Sequence, residues 1–269
     1  MSFVLPPDTN DRIFAGAGAK VAENALQAEM RRIVEGVYGP PVRQLPGLDI
    51  GRAYRGAGDE FRYGGDIVDV FHYGSGLTSL AVVDISGHGI LAAANAGLAK
   101  YALRAYASRG LDARDSVRAL NRLCIESSAF EGNDEFFATV FFAIVQPDRR
   151  AMQYVSAGHE AAYLIAPNGP RLLKATGPIV GLMDSDTAFD HRMVELDPGS
   201  IIAAVTDGFS EARNASLEFL GAEALVEVIL RNRAREAERQ AEAVTDRAFE
   251  YSNQQLRDDV AALVVKVAS

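Results

Sequence analysis

The chain has 269 residues, of which 48% are hydrophobic and 23% charged, and a formal net charge of −9 at pH 7. That is enough apolar chain for a core without disulfide or metal staples, and it excludes disordered, collagen-like and low-complexity classes. The negative balance speaks against a nucleic-acid binder, whose phosphate contacts need stripes of Lys and Arg.

A single cysteine, Cys124, excludes an internal disulfide and any multi-cysteine metal site. It points to a reducing cytoplasm. The N-terminal MSFVLPPDTNDR has neither the basic nor the apolar region of a signal peptide. The longest uncharged stretch, residues 85–99, contains Gly and Asn and is too short to span a bilayer. No membrane partner is expected.

Residues 1–46 carry five acids and five bases, so the whole charge of −9 sits in 47–269. In the first region Ala22, Leu26, Met30, Ile33 and Val37 recur at helical spacing. GVYGPPVRQLPG, residues 36–47, then stops the helix. Residues 1–46 read as an amphipathic helix and a linker, and 47–269 as a separate domain. The apolar face is too narrow for a core of its own. It packs either on the domain or on a second copy, as a homodimer through the N-terminal helix.

After the linker, 48–55, 66–73 and 77–85 are β-like, with YGSG turning the last two into a hairpin. Two helices follow. Leu91, Asn95, Leu98, Ala102 and Ala105 share one face of the first. Val117, Leu120 and Cys124 share one face of the second, with Asp112 as its N-cap. Strands are expected near 136–146, 150–157, 160–166, 171–174, 191–196 and 200–206. A helical stretch over 218–253 breaks near 232–234, and 260–267 is a final strand. This is not a regular βαβα alternation, so the fold class is α+β.

Four aspartates stand at strand ends beside glycine or another acid. They are Asp66 in YGGDIVDVF, Asp84 in LAVVDISGHG, Asp207 in IIAAVTDG and Asp258 in RDDVAALVVKV. Singly, each reads as a turn former or helix cap. Converging, they would repel one another unless a cation sat among them. All-oxygen sites suit Mg²⁺ or Mn²⁺, and no zinc-type spacing of His and Cys is present.

GGDIVDVF, DISGHG, FFATVFF, SAGHEAA, GPIVGL, TDGFSEARN and DDVAALVV occur in that order. In order and rough spacing this resembles the SpoIIE/RsbU-type branch of the metal-dependent (PPM) protein serine/threonine phosphatases, over about residues 47–269. The resemblance implies two antiparallel sheets packed as a sandwich and flanked by helix pairs, with two Mn²⁺ or Mg²⁺ ions at one end. It implies Asp66, Asp84, Asp207 and Asp258 as metal ligands and catalytic residues, with Asp84 bridging and the carbonyl of Ile85 beside it. Asp258 is preferred to Asp259 because the family's ligand is the first of the pair, and because neighbouring strand residues face opposite ways. Ile67–Val68, Ser156 and Glu160–Ala162 depart from the family's commonest pattern and leave every implied ligand intact.

His88, in SGHG, is either a contact for the phosphate or leaving group, or a structural residue of its turn. His159 is read as structural and Cys124 as core. The resemblance also implies that the two helices over 88–128, with Gly110 as pivot, regulate the metal site. The implied substrate is a phosphorylated STAS-domain anti-sigma-factor antagonist or stressosome component. The alternatives are a non-catalytic partner-binding module and a binuclear hydrolase of a small phosphoester.

Overall fold

A computed structural model describes residues 44–57, 64–73, 76–131, 136–146, 150–159, 161–183 and 188–268. The chain divides into two units, Met1–Gly39 and Pro40–Ser269, and every described residue belongs to the second. The helix expected on Leu26, Met30, Ile33 and Val37, and any dimer through it, lie outside the described residues.

Eleven strands are described: β1 (Gln44–Leu45), β2 (Leu48–Arg55), β3 (Asp66–Tyr73), β4 (Leu77–Ile85), β5 (Ala138–Gln146), β6 (Ala151–Ala157), β7 (Ala161–Ala166), β8 (Gly169–Leu172), β9 (Arg192–Glu195), β10 (Ile201–Val205) and β11 (Val260–Val267). They form two antiparallel sheets, ordered β1-β2-β11-β10-β7-β8 and β3-β4-β5-β6-β9. Residues 44–47, expected as linker, instead begin the first sheet: Gln44 pairs with Asp49 across the turn at Pro46 and Gly47.

The helices are α1 (Gly89–Ser108), α2 (Ala113–Glu131), α3 (Asp207–Ser210), α4 (Glu223–Arg231) and α5 (Ala237–Tyr251). One core lies between the sheets, where Ile50, Val68, Leu80, Val82, Phe141, Ile202, Leu263 and Val265 meet. A second joins the outer face of the first sheet, through Ile165, Ile201, Ala203 and Val205, to Leu225 and Ile229 of α4 and Ala241 and Val244 of α5. On the far side α1 packs on β3 and β4, and α2 on β5 and β6. All five residues of β10 are buried because both its faces are covered.

Asp112 caps α2 as expected, its Oδ1 accepting the Asp115 N–H at 2.8 Å. Val117, Leu120 and Cys124 are buried. In α1, Leu91, Asn95, Leu98, Ala102 and Ala105 share one face as expected, and it is the outer one. Leu91 and Leu98 are 53% and 41% exposed, while Ala92, Ala93, Ala96, Ala99, Leu103 and Ala107 form the buried face. The alanines let the helix backbone approach the sheet closely, so close packing rather than side-chain size chose the face.

Candidate metal centre and active site

Pairing of β3 with β4 sets Asp66 directly opposite Asp84. Opposed residues on antiparallel strands project from the same face, and like charges so placed repel. Asp66 is only 5% exposed, and Asp84 is partly buried. Burial, reinforced by the Asp84 charge, raises the Asp66 carboxyl well above the ordinary aspartate range. The Thr206 hydroxyl, hydrogen-bonded to Asp66, acts in the other direction. Burial, then the charges of Asp207 and Asp258, push Asp84 up to about 7.

The other acids arrive from the opposite sheet. Asp207 follows β10 and opens the short helix α3, with Thr206 as N-cap. Asp258 and Asp259 both precede β11, which begins at Val260. Strand alternation therefore does not separate them, contrary to expectation, and both line the same hollow. Their surroundings separate them instead. Asp259 is buried and fully engaged: Oδ1 accepts the Ala57 N–H at 2.7 Å and Oδ2 the Tyr54 hydroxyl at 2.8 Å. Asp258 is exposed, and its Oδ1 accepts the Asp259 N–H at 2.8 Å.

Two glycines make this approach sterically feasible. A Cβ on Gly64 would lie 1.9 Å from Asp259 Oδ2, and one on Gly65 would lie 2.4 Å from the Ile85 carbonyl oxygen. No side chain fits either place. The Ile85 N–H also donates to the Gly65 carbonyl at 3.3 Å, which holds the end of β4 against the GGD segment.

The result is a hollow of about 250 Å³ lined by Asp66, Asp84, Asp207, Asp258 and Asp259, with Gly64, Gly65, Ile85, Ser86, Gly87, His88, Ala57 and Arg257. His88 is exposed on its rim, at the N-cap of α1. Among the described residues, no three His, Cys, Asp or Glu groups stand close enough to cage an ion as they are. A bound cation would draw the ligands inward. Crowded carboxylates with raised pKa values and a nearby backbone carbonyl form a hard, all-oxygen donor set. It fits Mg²⁺ or Mn²⁺.

Two conspicuous polar residues lie away from the hollow. His159 is buried, with Nδ1 3.4 Å from Thr139 Oγ1 and its ring 6.0 Å from that of Phe141. Burial lowers its pKa to about 4, against the opposing effect of the Val205 carbonyl, so it is a neutral packing residue. Asp69 projects toward α1, where Arg104 and Lys100 meet it. Cys124 is buried, and burial raises its thiol to about 12, which makes it an inert core residue.

Tyr54, Thr206 and Arg257 were invisible to motif reasoning. Tyr54 is a residue of β2, and Thr206 reads as an ordinary cap. Thr206 Oγ1 accepts the Ala261 N–H at 3.0 Å and bonds Asp66, so it ties the two sheets together at the site. Only Arg257 had a signal to offer, as a base beside the DD pair.

Residues 74–268 match the family described as Stage II sporulation protein E (SpoIIE). Protein IcfG of Synechocystis sp. is 28% identical over 195 residues, 62% of this chain and 30% of its own length. Phosphoserine phosphatase RsbU of Bacillus subtilis is 25% identical over 238 residues, 86% of this chain and 66% of its own. The chain thus spans less than two thirds of either relative. The solved RsbU and RsbW domains of Rv1364c from Mycobacterium tuberculosis superpose with a TM-score of 0.69 at 26% identity, over 82% of this chain and 60% of that one. The matched span takes in Asp84, His88, Asp207 and Asp258 and leaves out Asp66, which the β3–β4 pairing brings to the same hollow; the chain belongs to the SpoIIE family.

Proposed function

We propose that the chain is a metal-dependent protein serine/threonine phosphatase. The observation that carries this reading is the convergence of Asp66, Asp84, Asp207 and Asp258, from separate elements of two sheets, on one hollow. Solved proteins of this fold carry magnesium or manganese. Asp66, Asp84, Asp207, Asp258 and the Ile85 carbonyl would hold two such ions. When bound, the ions supply an acidified water and neutralise charge on the phosphoryl oxygens.

The remaining work falls to the chain. Thr206 orients Asp66 through its hydroxyl. Asp259, fixed by Tyr54 and Ala57, braces the loop that presents Asp258. His88 stands on the rim, where a ring N–H can donate to a phosphoryl oxygen or to the departing seryl oxygen. The free N–H groups that open α1 beside it favour an anion. No side-chain nucleophile is required.

The substrate is proposed to be a phosphoserine or phosphothreonine on a STAS-domain regulator, a reading supported by the likeness to RsbU and, in fold alone, to a protein described with the bacterial stressosome. No helix among the described residues is long and apolar enough to cross a membrane. The test is Mn²⁺-dependent phosphate release from a phosphorylated STAS protein and from an aryl phosphate. Wild type should turn over both, the protein substrate with the higher kcat/KM. Asp84→Asn and Asp207→Asn should each lose about a hundred- to a thousandfold, as expected when transition-state charge stabilisation is removed. Turnover that survives chelator, or both substitutions, would defeat the reading.

A further inference from the structure

Five carboxylates line the hollow: Asp66, Asp84, Asp207, Asp258 and Asp259. Set against two divalent cations, they leave the centre one negative charge in excess. A phosphate monoester near neutral pH arrives as a dianion, so it meets a field of its own sign. A further cation at the point of entry would offset that repulsion.

Among the described lining residues, Arg257 is the only lysine or arginine. It is exposed. It makes no hydrogen bond or ion pair among the described residues, although Asp258 and Asp259 follow it directly. The oxygens of Asp259 are already taken by Tyr54 and Ala57, and Asp258 Oδ1 by the Asp259 N–H. The guanidinium is therefore not spent on a structural pair. It stands on the 252–259 segment that joins α5 to β11, tied through one peptide bond to the carboxylate proposed as a ligand. A guanidinium presents paired N–H donors that match two phosphoryl oxygens, and it stays charged at any working pH.

We propose that Arg257 is the substrate-binding cation of this centre, meeting the phosphoryl group of the incoming phosphoserine or phosphothreonine at the rim. This rests on the phosphatase reading above. Asp258 and Arg257 then divide the work between neighbours, one holding the metal and the other the substrate anion.

The experiment compares full-length wild type, Arg257→Ala and Arg257→Lys, loaded with Mn²⁺. KM and kcat are measured on a phosphoserine peptide, and binding of inorganic phosphate is measured by calorimetry. Arg257→Ala should raise KM about tenfold, with kcat changing less, the loss expected for one solvent-exposed charge-assisted contact. Its phosphate dissociation constant should rise in step, and Arg257→Lys should recover part of both. Mn²⁺ affinity should hold or tighten, since removing a positive charge beside the ligands cannot repel a cation. Unchanged KM and unchanged phosphate binding in Arg257→Ala would overturn the proposal while leaving the phosphatase reading intact. So would a loss traced wholly to weaker Mn²⁺ binding. A wild type with no Mn²⁺-dependent turnover would defeat the phosphatase reading. The phosphate titration would still decide the case of Arg257: equal binding by both proteins, or by neither, overturns it.

Discussion

Arg104 of α1 grips Asp69 of β3 through two hydrogen bonds, Nε to Oδ2 at 2.7 Å and Nη2 to Oδ1 at 2.6 Å. Lys100, one turn earlier on the helix and 2% exposed, places Nζ 3.4 Å from the same carboxylate. Burial lowers the Lys100 pKa, and Asp69 opposes the shift. The pair therefore fastens the middle of α1 to the strand that begins with Asp66. The helix itself starts just beyond Asp84 and His88, so the link ties a helix that opens at the metal hollow to the strand that begins there.

Asp69→Asn should strip the buried Lys100 of its counter-charge. Breaking a buried pair from one side costs about 3–5 kcal/mol. Thermal melting of metal-free protein should show a drop of several degrees, and Arg104→Ala, whose side chain is partly exposed, a smaller one. A melting temperature unmoved by Asp69→Asn would mean that the link is not holding the helix.

Asp258 and Asp259 should fail differently. Asp258→Ala removes an exposed carboxylate, so Mn²⁺-dependent turnover should collapse while the melting temperature stays. Asp259→Ala orphans the buried Ala57 N–H, at about 1–3 kcal/mol for a buried group left unpaired, and takes away the acceptor of the half-exposed Tyr54 hydroxyl. Its first effect should be on stability, and Tyr54→Phe should reproduce a fraction of it. If Asp258→Ala melts early and stays active while Asp259→Ala is inactive and stable, their roles are reversed.

Strands β2, β3, β4 and β11 coincide with the expected 48–55, 66–73, 77–85 and 260–267, because apolar runs bounded by Gly, Pro or acids leave few other readings. The aspartates were legible for the same reason, since each interrupts such a run. What the sequence could not disclose is set by distance along the chain. Tyr54 and Asp259 are 205 residues apart, and Asp69 and Arg104 are 35 apart. No periodicity links such residues. The Asp258–Asp259 pair was placed on a strand that begins one residue later, so alternation was applied where the backbone is not yet extended. α1 carries two apolar faces, and hydrophobicity alone does not say that the alanine-rich one is buried.

The two faces give a direct check. Leu103 is 1% exposed and Leu98 is 41% exposed on the same helix. Leu103→Ala should cost about 2–5 kcal/mol through the cavity it leaves. Leu98→Lys should stay within about 0.5 kcal/mol, as surface changes do. Urea denaturation of the two variants compares them under one condition. A larger loss from Leu98→Lys would mean that the Leu98 face, not the Leu103 face, packs on the sheet.

The raised carboxyls make the metal-free protein unusually sensitive to alkali. Asp84 titrates at about 7 when folded, against an ordinary value of 3.8, and Asp66 is shifted the same way. An acid with a higher pKa in the folded state keeps a proton there that the unfolded chain gives up. Its contribution to stability is complete below about pH 4 and is lost as pH rises through about 7. In chelator, the melting temperature should therefore fall between about pH 5 and about pH 8. Divalent cations bind the ionised carboxylates, so binding competes with protons and strengthens as pH rises. Added Mn²⁺ should raise the melting temperature more at the upper end of that range than at the lower, and flatten the slope. Asp84→Asn removes the titrating group together with a ligand. It should melt higher than wild type in chelator at the alkaline end and gain less from Mn²⁺. A chelated wild type whose stability climbs with pH across this range would mean that the carboxylates are not crowded, and the case for a cation among them would lose its electrostatic footing.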